Sequence, residues 1–163
     1  MKINSALIHV KNYIFLGVLM ALLSLARIVP DYGGYAMSIY IALVYCRFSI
    51  AVLSPMYLAI SLIFDHTLWG IIYAVAPVVI MVAAKYLHYL FAKPMRLYAV
   101  IIYAALSALP AMFVDFPAYL NLEGIVYSVS LVVVCLLCCT ICYAVGVRGI
   151  GRMLSVDEII GGF

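Results

Sequence analysis

Apolar residues fill this chain in six stretches, and the polar and turn-forming residues fall almost entirely between them. A helix needs about 20 mostly apolar residues to cross the hydrocarbon core of a bilayer, with about 17–25 as the usual range. On that scale the pattern predicts spans over residues 12–29, 35–50, 51–64, 67–84, 97–114 and 124–147. The first closes on Pro30-Asp31-Tyr32-Gly33-Gly34, where proline ends a helix and glycine permits unusual backbone angles. The second run is short, with 12 apolar residues (35–46) before Arg47. It crosses only if the helix takes in Arg47 and its neighbours. A long arginine side chain near a helix end can snorkel to the interface, which puts the turn anywhere between Arg47 and Pro55. One long segment with a re-entrant break is the alternative. Two tilted helices joined by a tight turn are preferred.

The basic residues give an independent test, because cytoplasmic loops carry the excess of lysine and arginine. With six spans and the N-terminus inside, Lys2, Lys11, Arg47, Lys85, Lys93, Arg96, Arg148 and Arg152 lie on the inner side and only Arg27 on the outer, eight against one. Asp31, Asp65, Asp115 and Glu123 fall in the outer loops. Merging 35–64 into one span puts the later basic loops outside, so six spans with both termini cytoplasmic is the expected topology. Tyrosine favours the interface, and Tyr13, Tyr32, Tyr35, Tyr86, Tyr89, Tyr98, Tyr119 and Tyr143 sit at or near predicted span ends.

Composition agrees. Hydrophobic residues make up 70% of the chain, charged residues 9%, and mean hydropathy is +1.28, against roughly 45–50% and about 25% in a soluble globular chain. The expected fold class is all-α, a polytopic integral membrane bundle of about six transmembrane helices. Residues 1–147 form the membrane domain and 148–163 a cytoplasmic tail. Its partners are the lipid bilayer and, through self-association or other membrane helices, further protein. The net charge of +3 belongs to inner loops facing anionic lipid and does not indicate nucleic acid. The N-terminus also has the form of a secretory signal, with basic residues, an apolar run and Ser24-Leu25-Ala26. Five further spans favour an uncleaved signal-anchor.

Cys135-Leu-Leu-Cys138-Cys139-Thr-Ile-Cys142 would suggest a zinc or iron–sulfur site in a soluble protein. Here it falls within the sixth span. The i, i+3, i+4, i+7 spacing places all four thiols on one helix face, where tetrahedral closure around one ion is strained and four thiolates in hydrocarbon are costly to desolvate. Neutral thiols pack as small apolar groups, and packing is the expected role. Lipidation is an alternative for Cys142 and, near the inner interface, for Cys46. A disulfide framework is not expected on the inner side of the membrane.

Asp65-His66 is the one adjacent acid–imidazole pair, expected in a solvated outer loop; His9 and His88 are expected as solvated residues of basic stretches. Arg27 and Asp31 could pair at an outer span end. No acid lies in the middle of a predicted span, as proton and ion pathways normally require. Ser24, Ser61, Ser107, Ser128, Ser130 and Thr140 can satisfy helix–helix hydrogen bonds, and Gly17-x3-Ala21 offers a small-residue contact. Pro77 and Pro110 should kink spans four and five, which could open a cavity. With no glycine-rich phosphate loop, His-Glu-x-x-His or serine elbow, the sequence assigns no catalytic, cofactor-binding or metal-binding residue. The chain is not expected to be an enzyme.

After the sixth span, Ser155-Val156-Asp157-Glu158 has the form of a capping box with acids in the first turn. Only Ile159-Ile160-Gly161-Gly162-Phe163 follow, which predicts either a further helix of a longer protein or a short amphipathic tail. The basic N-terminus leading into YIFLGVLMALLSLARIVP, the short-looped spans and RMLSVDEII together resemble the N-terminal membrane region of the stage II sporulation protein E serine phosphatases. The resemblance covers nearly the whole chain in order and spacing. It implies a bacterial plasma-membrane module that anchors and oligomerises a cytoplasmic phosphatase at the division septum, with the catalytic domain beyond residue 163 and no catalytic residue here. The alternative function is the membrane substrate-binding subunit of an energy-coupling-factor vitamin importer, similar in size, span number and cytoplasmic ends. The Ala-x3-Ala contacts of that family's first helix are absent, since Ala21 and Ala26 are five apart. A membrane enzyme acting on lipid head groups would need clustered His, Asp or Arg at one interface, and no such cluster is present in the sequence.

Overall fold

The computed structural model describes residues 2–26, 34–46, 48–91, 97–110 and 122–144. They form six α-helices and, among the described residues, no strand: α1 (Lys2–Leu25), α2 (Ala36–Tyr45), α3 (Ile50–Phe64), α4 (Leu68–Leu90), α5 (Leu97–Ala108) and α6 (Leu122–Ala144). The fold is all-α. Two helices, Leu68–Leu90 and Leu122–Cys142, are each long and apolar enough to cross a membrane, with mean hydropathy 2.0 and 2.7. Only 28% and 33% of those apolar windows is buried inside the bundle. A core helix of a soluble protein hides most of its surface, and these two do not.

The bundle is organised around its shortest member. α2 has 10 residues, about 15 Å at 1.5 Å per residue, half of what a hydrocarbon core requires. Ala36 to Val44 are all buried, and the helix packs against each of the other five, with α6 its principal neighbour. A helix that is apolar all round belongs in the interior of a larger assembly, and Ala36-Met-Ser-Ile-Tyr-Ile-Ala-Leu-Val44 has no polar face to show. Its hydroxyls are bonded inside the bundle, and that of Ser38 donates to the Leu131 carbonyl of α6 (3.1 Å).

Local chemistry ends α2 earlier than the predicted residue 50. The Cys46 N–H returns to Ala42, and the Phe48 N–H reaches the Leu43 carbonyl (3.1 Å), the 6→1 bond that closes many helix C-termini. Helix α3 begins after Ser49, so Pro55 lies inside α3 and not in the turn. The aromatic ring of Phe48 meets Tyr13 of α1 edge-on at 6.3 Å. At the opposite end Tyr35 N–H bonds the Leu23 carbonyl (2.7 Å). Helix α2 therefore runs back along the second half of α1. Gly17 of α1 packs on Met56 of α3, which is where the small-residue contact expected at Gly17 is made.

One of the two prolines expected inside a span lies outside its helix. Helix α5 stops at Ala108, so Pro110 follows the helix and does not kink it, and Ser128 of α6 donates to the terminal Ala108 carbonyl (3.1 Å). Pro77 does lie inside α4, buried. Its missing N–H deprives the Tyr73 carbonyl of its partner four residues on, and the Tyr57 hydroxyl of α3 supplies the donor instead (3.3 Å). Tyr57→Phe should cost about 1–3 kcal/mol, the usual penalty for an orphaned buried acceptor. Adding Pro77→Ala, which restores the helix's own bond, should remove most of that cost. Equilibrium unfolding of the two single variants and the double variant in mixed micelles checks this, and an undiminished cost in the double variant would disprove the substitution of donors.

The expected turn at 30–33, the conformation of Arg47, the basic loop 92–96, the outer loop 111–121 and the capping box at 155–158 lie outside the described residues, as do Arg27, Asp31, Tyr32, Tyr119, Arg148 and Arg152.

Candidate functional site

The described residues line a partly open cavity, with polar groups among its apolar walls, at the end of the bundle where α3 turns into α4. It measures about 40 Å³ and draws its walls from α1 to α6, including Ser24, Tyr57, Asp65, Ser107 and Tyr127. The α3–α4 connection builds one wall. Asp65 is the C-cap of α3, and its Oδ1 accepts from the Thr67 backbone N–H (3.1 Å) and hydroxyl (2.7 Å). Thr67 is in turn the N-cap of α4, accepting from the Gly70 N–H (3.0 Å). Gly70 is required here because a Cβ at that position would run into the Asp65 carboxyl. The carboxylate is thus locked against the N-terminus of a helix, where a negative charge is favoured.

Three hydroxyls on the other walls have already committed their protons. Ser24 donates to the Met20 carbonyl (3.0 Å), Tyr57 to Tyr73 and Tyr127 to the Gly34 carbonyl (3.2 Å). What these three residues have left to offer is oxygen lone pairs. Ser107 differs. It is 1% exposed, lines the cavity, and its Oγ has no hydrogen-bond partner among the described residues. Native structures satisfy nearly every buried hydroxyl, so an orphan asks for a missing partner.

The structure separates the Asp65-His66 pair. Asp65 is half-buried on the cavity wall, while His66 is exposed and takes no part in it. His88 is not a solvated interface residue: it is half-buried, with Nε2 3.2 Å from the Tyr103 hydroxyl, joining α4 to α5. Tyr35 leaves the interface role expected of it, being 3% exposed with its hydroxyl on Ser130 of α6 (2.8 Å). Tyr86, Tyr89 and Tyr98 are exposed near helix ends. Of the hydroxyls expected to join helices, Ser128 and Ser130 do so, whereas Ser24 and Thr140 bond their own helix. Ser38 and Ser54, not singled out in the sequence, carry two of the buried interhelical bonds.

The thiols point inward. Cys135, Cys139 and Cys142 are buried in the core with Cys46, and Cys138 is half-buried. Cys142 lies against Cys46 of α2, so in the folded bundle neither is presented for acylation. Among the described residues no group of three or more His, Cys, Asp or Glu side chains converges on a metal-sized site.

No known protein family, curated protein or solved structure matches this chain. What the cavity does is therefore argued from its own atoms.

Proposed function

We propose that the chain is a non-catalytic, multi-pass module of a bacterial plasma membrane, crossing it with six helices and keeping both termini in the cytoplasm. Its role in this reading is to anchor and oligomerise a larger protein of the sporulation phosphatase kind. The observation that carries the membrane assignment is the outward surface. Val10, Ile14, Phe15, Val18, Leu22 and Leu25 form an exposed apolar side of α1, and Val75, Val79 and Val82 of α4 and Val126, Val129, Val133 and Leu137 of α6 do the same. Soluble monomers rarely expose contiguous apolar patches of more than a few hundred Å², and lipid is the solvent that suits such a surface.

The short α2 does not disturb the sidedness. Since α2 and α3 run out and back between the same two ends of the bundle, α4 starts on the side where α1 finished, whether the α2–α3 hairpin crosses fully or dips re-entrantly. The anchoring half of the proposal draws on the order and spacing of the apolar stretches.

Reporter fusions at residue 1 and residue 163 are expected to report the cytoplasm, and a reporter after His66 the outside. A green fluorescent fusion to the C-terminus should resist alkaline extraction and gather at the division septum of an endospore-forming host. Uniform membrane fluorescence would remove the septal anchoring role while leaving the topology to be judged by the reporters.

A further inference from the structure

The polar groups on the cavity wall select its occupant. We propose that the cavity is a binding site for a small monovalent cation, an alkali ion or a primary ammonium, held by the Asp65 carboxylate and the hydroxyl oxygens of Ser24, Tyr57, Ser107 and Tyr127. This goes beyond the anchoring role and does not depend on it.

Sign comes first. Among the described residues the one Asp, Glu, His, Lys or Arg side chain on the wall is Asp65, and Ser24, Tyr57 and Tyr127 have given their protons to main-chain carbonyls. An anion would find no donor from these three, while a cation finds acceptors on several sides. Aromatic rings add to this preference: Tyr57, Tyr73 and Tyr127 all line the space, and ring faces attract cations.

Valence and size follow. Calcium takes six to eight oxygen ligands and usually several carboxylates, and magnesium keeps an octahedral shell of waters. A single carboxylate among neutral hydroxyls matches one positive charge. The volume of about 40 Å³ holds an ion with one or two waters or a short ammonium, given that a single water needs roughly 10–15 Å³. Burial supplies the last element. Ser107 is 1% exposed and has no partner among the described residues, so its oxygen is available to complete a coordination shell.

The decisive competitor is water, which could satisfy Ser107 without any ion. Purified protein in detergent micelles is heated in chloride salts of sodium, potassium, ammonium, methylammonium and choline at equal ionic strength. A bound ligand raises thermal stability with its concentration and then follows its own affinity. The expected result is a saturable rise in Tm with at least one small cation and none with choline, whose bulk the cavity excludes. An alkali response and an ammonium response identify which kind of cation the site takes. Asp65→Asn should abolish the rise. Ser107→Ala, a small change that leaves the packing intact, should weaken the apparent affinity about tenfold, the worth of one bond to a charged group, with Tm in choline unchanged. Sodium NMR line broadening on the unaltered protein, reversed by the preferred competitor, gives a reading that needs no variant. Equal behaviour in all five salts, or Ser107→Ala binding like the parent, overturns the proposal and leaves a water-filled cavity.

Discussion

Tyr40→Ala is expected to destabilise the bundle by about 3–5 kcal/mol, the range for emptying a large buried aromatic site. Tyr40 is completely buried at the middle of α2 and is among the largest fully enclosed side chains. Its ring stacks on Tyr57 at a centroid distance of 4.7 Å and 15° between planes, and its hydroxyl shares a 2.9 Å hydrogen bond with Ser54. In a bilayer the unfolded helices already lie in an apolar medium. The loss therefore comes from vacated van der Waals contacts and the cavity left behind, more than from transfer out of water. Removal also strips the support from Tyr57, which serves the carbonyl freed by Pro77. Tyr40→Phe keeps the stack and loses only the bond to Ser54, so about 0.6 kcal/mol, and at most ~1.7, is expected from the spread of intramembrane hydrogen bonds. Unfolding in mixed micelles resolves these two sizes. A Tyr40→Ala variant within about 1 kcal/mol of the parent, below the usual cost of such a cavity, would mean that α2 is not the centre of the fold.

Gly34→Ala is the second large effect. A Cβ on Gly34 would land on the main chain of Ser24, against its carbonyl oxygen, carbonyl carbon and Cα. Backbone cannot rotate away as a side chain can. The approach is fixed from the other side by the Tyr35 N–H bond to Leu23 and by the Tyr127 hydroxyl on the Gly34 carbonyl. Relief requires the start of α2 to move off α1, which should cost about 3 kcal/mol, the upper part of the range for overpacking. Gly17→Ala is the control. Its Cβ would meet only the Met56 sulfur at 3.3 Å, the far end of a flexible side chain, and a change of less than about 1 kcal/mol is expected. Similar stabilities for the two variants would show that the α1–α2 approach is looser than the structure describes.

The sequence was most legible where a helix faces outward. Helices α4 and α6 are long apolar runs with polar breaks at both ends, and the stretches 67–84 and 124–147 overlap Leu68–Leu90 and Leu122–Ala144 closely. Helix α1 begins at Lys2, ten residues before its apolar part, because Lys2, His9 and Lys11 do not stop a helix even though they stop a hydrophobic run. Helix α2 could not be bounded by pattern. Every side chain from Ala36 to Val44 is buried, so no polar face exists to set a period, and its end is decided by backbone bonds at Cys46 and Phe48 that no residue type announces. The cavity was illegible for a different reason. Ser24, Tyr57, Asp65, Ser107 and Tyr127 belong to α1, α3, the α3–α4 turn, α5 and α6, and nothing in their spacing reveals that they converge. Pro77 alone hinted at an opening in α4.

The central place of α2 also orders events during synthesis. Tyr35 and Ser38 find their α6 partners 95 and 93 positions further along the chain, so the first helix pair leaves the ribosome long before its cover exists. Contacts this distant are paid for in loop entropy before they return anything. A ten-residue helix is too short to rest in lipid by itself. Throughout the translation of α3, α4 and α5, α2 is a tenant without a room, dependent on temporary neighbours. The packing around α2 is completed only when α6 arrives, which makes its maturation an event that follows translation of α6 and not a stepwise accumulation of helices.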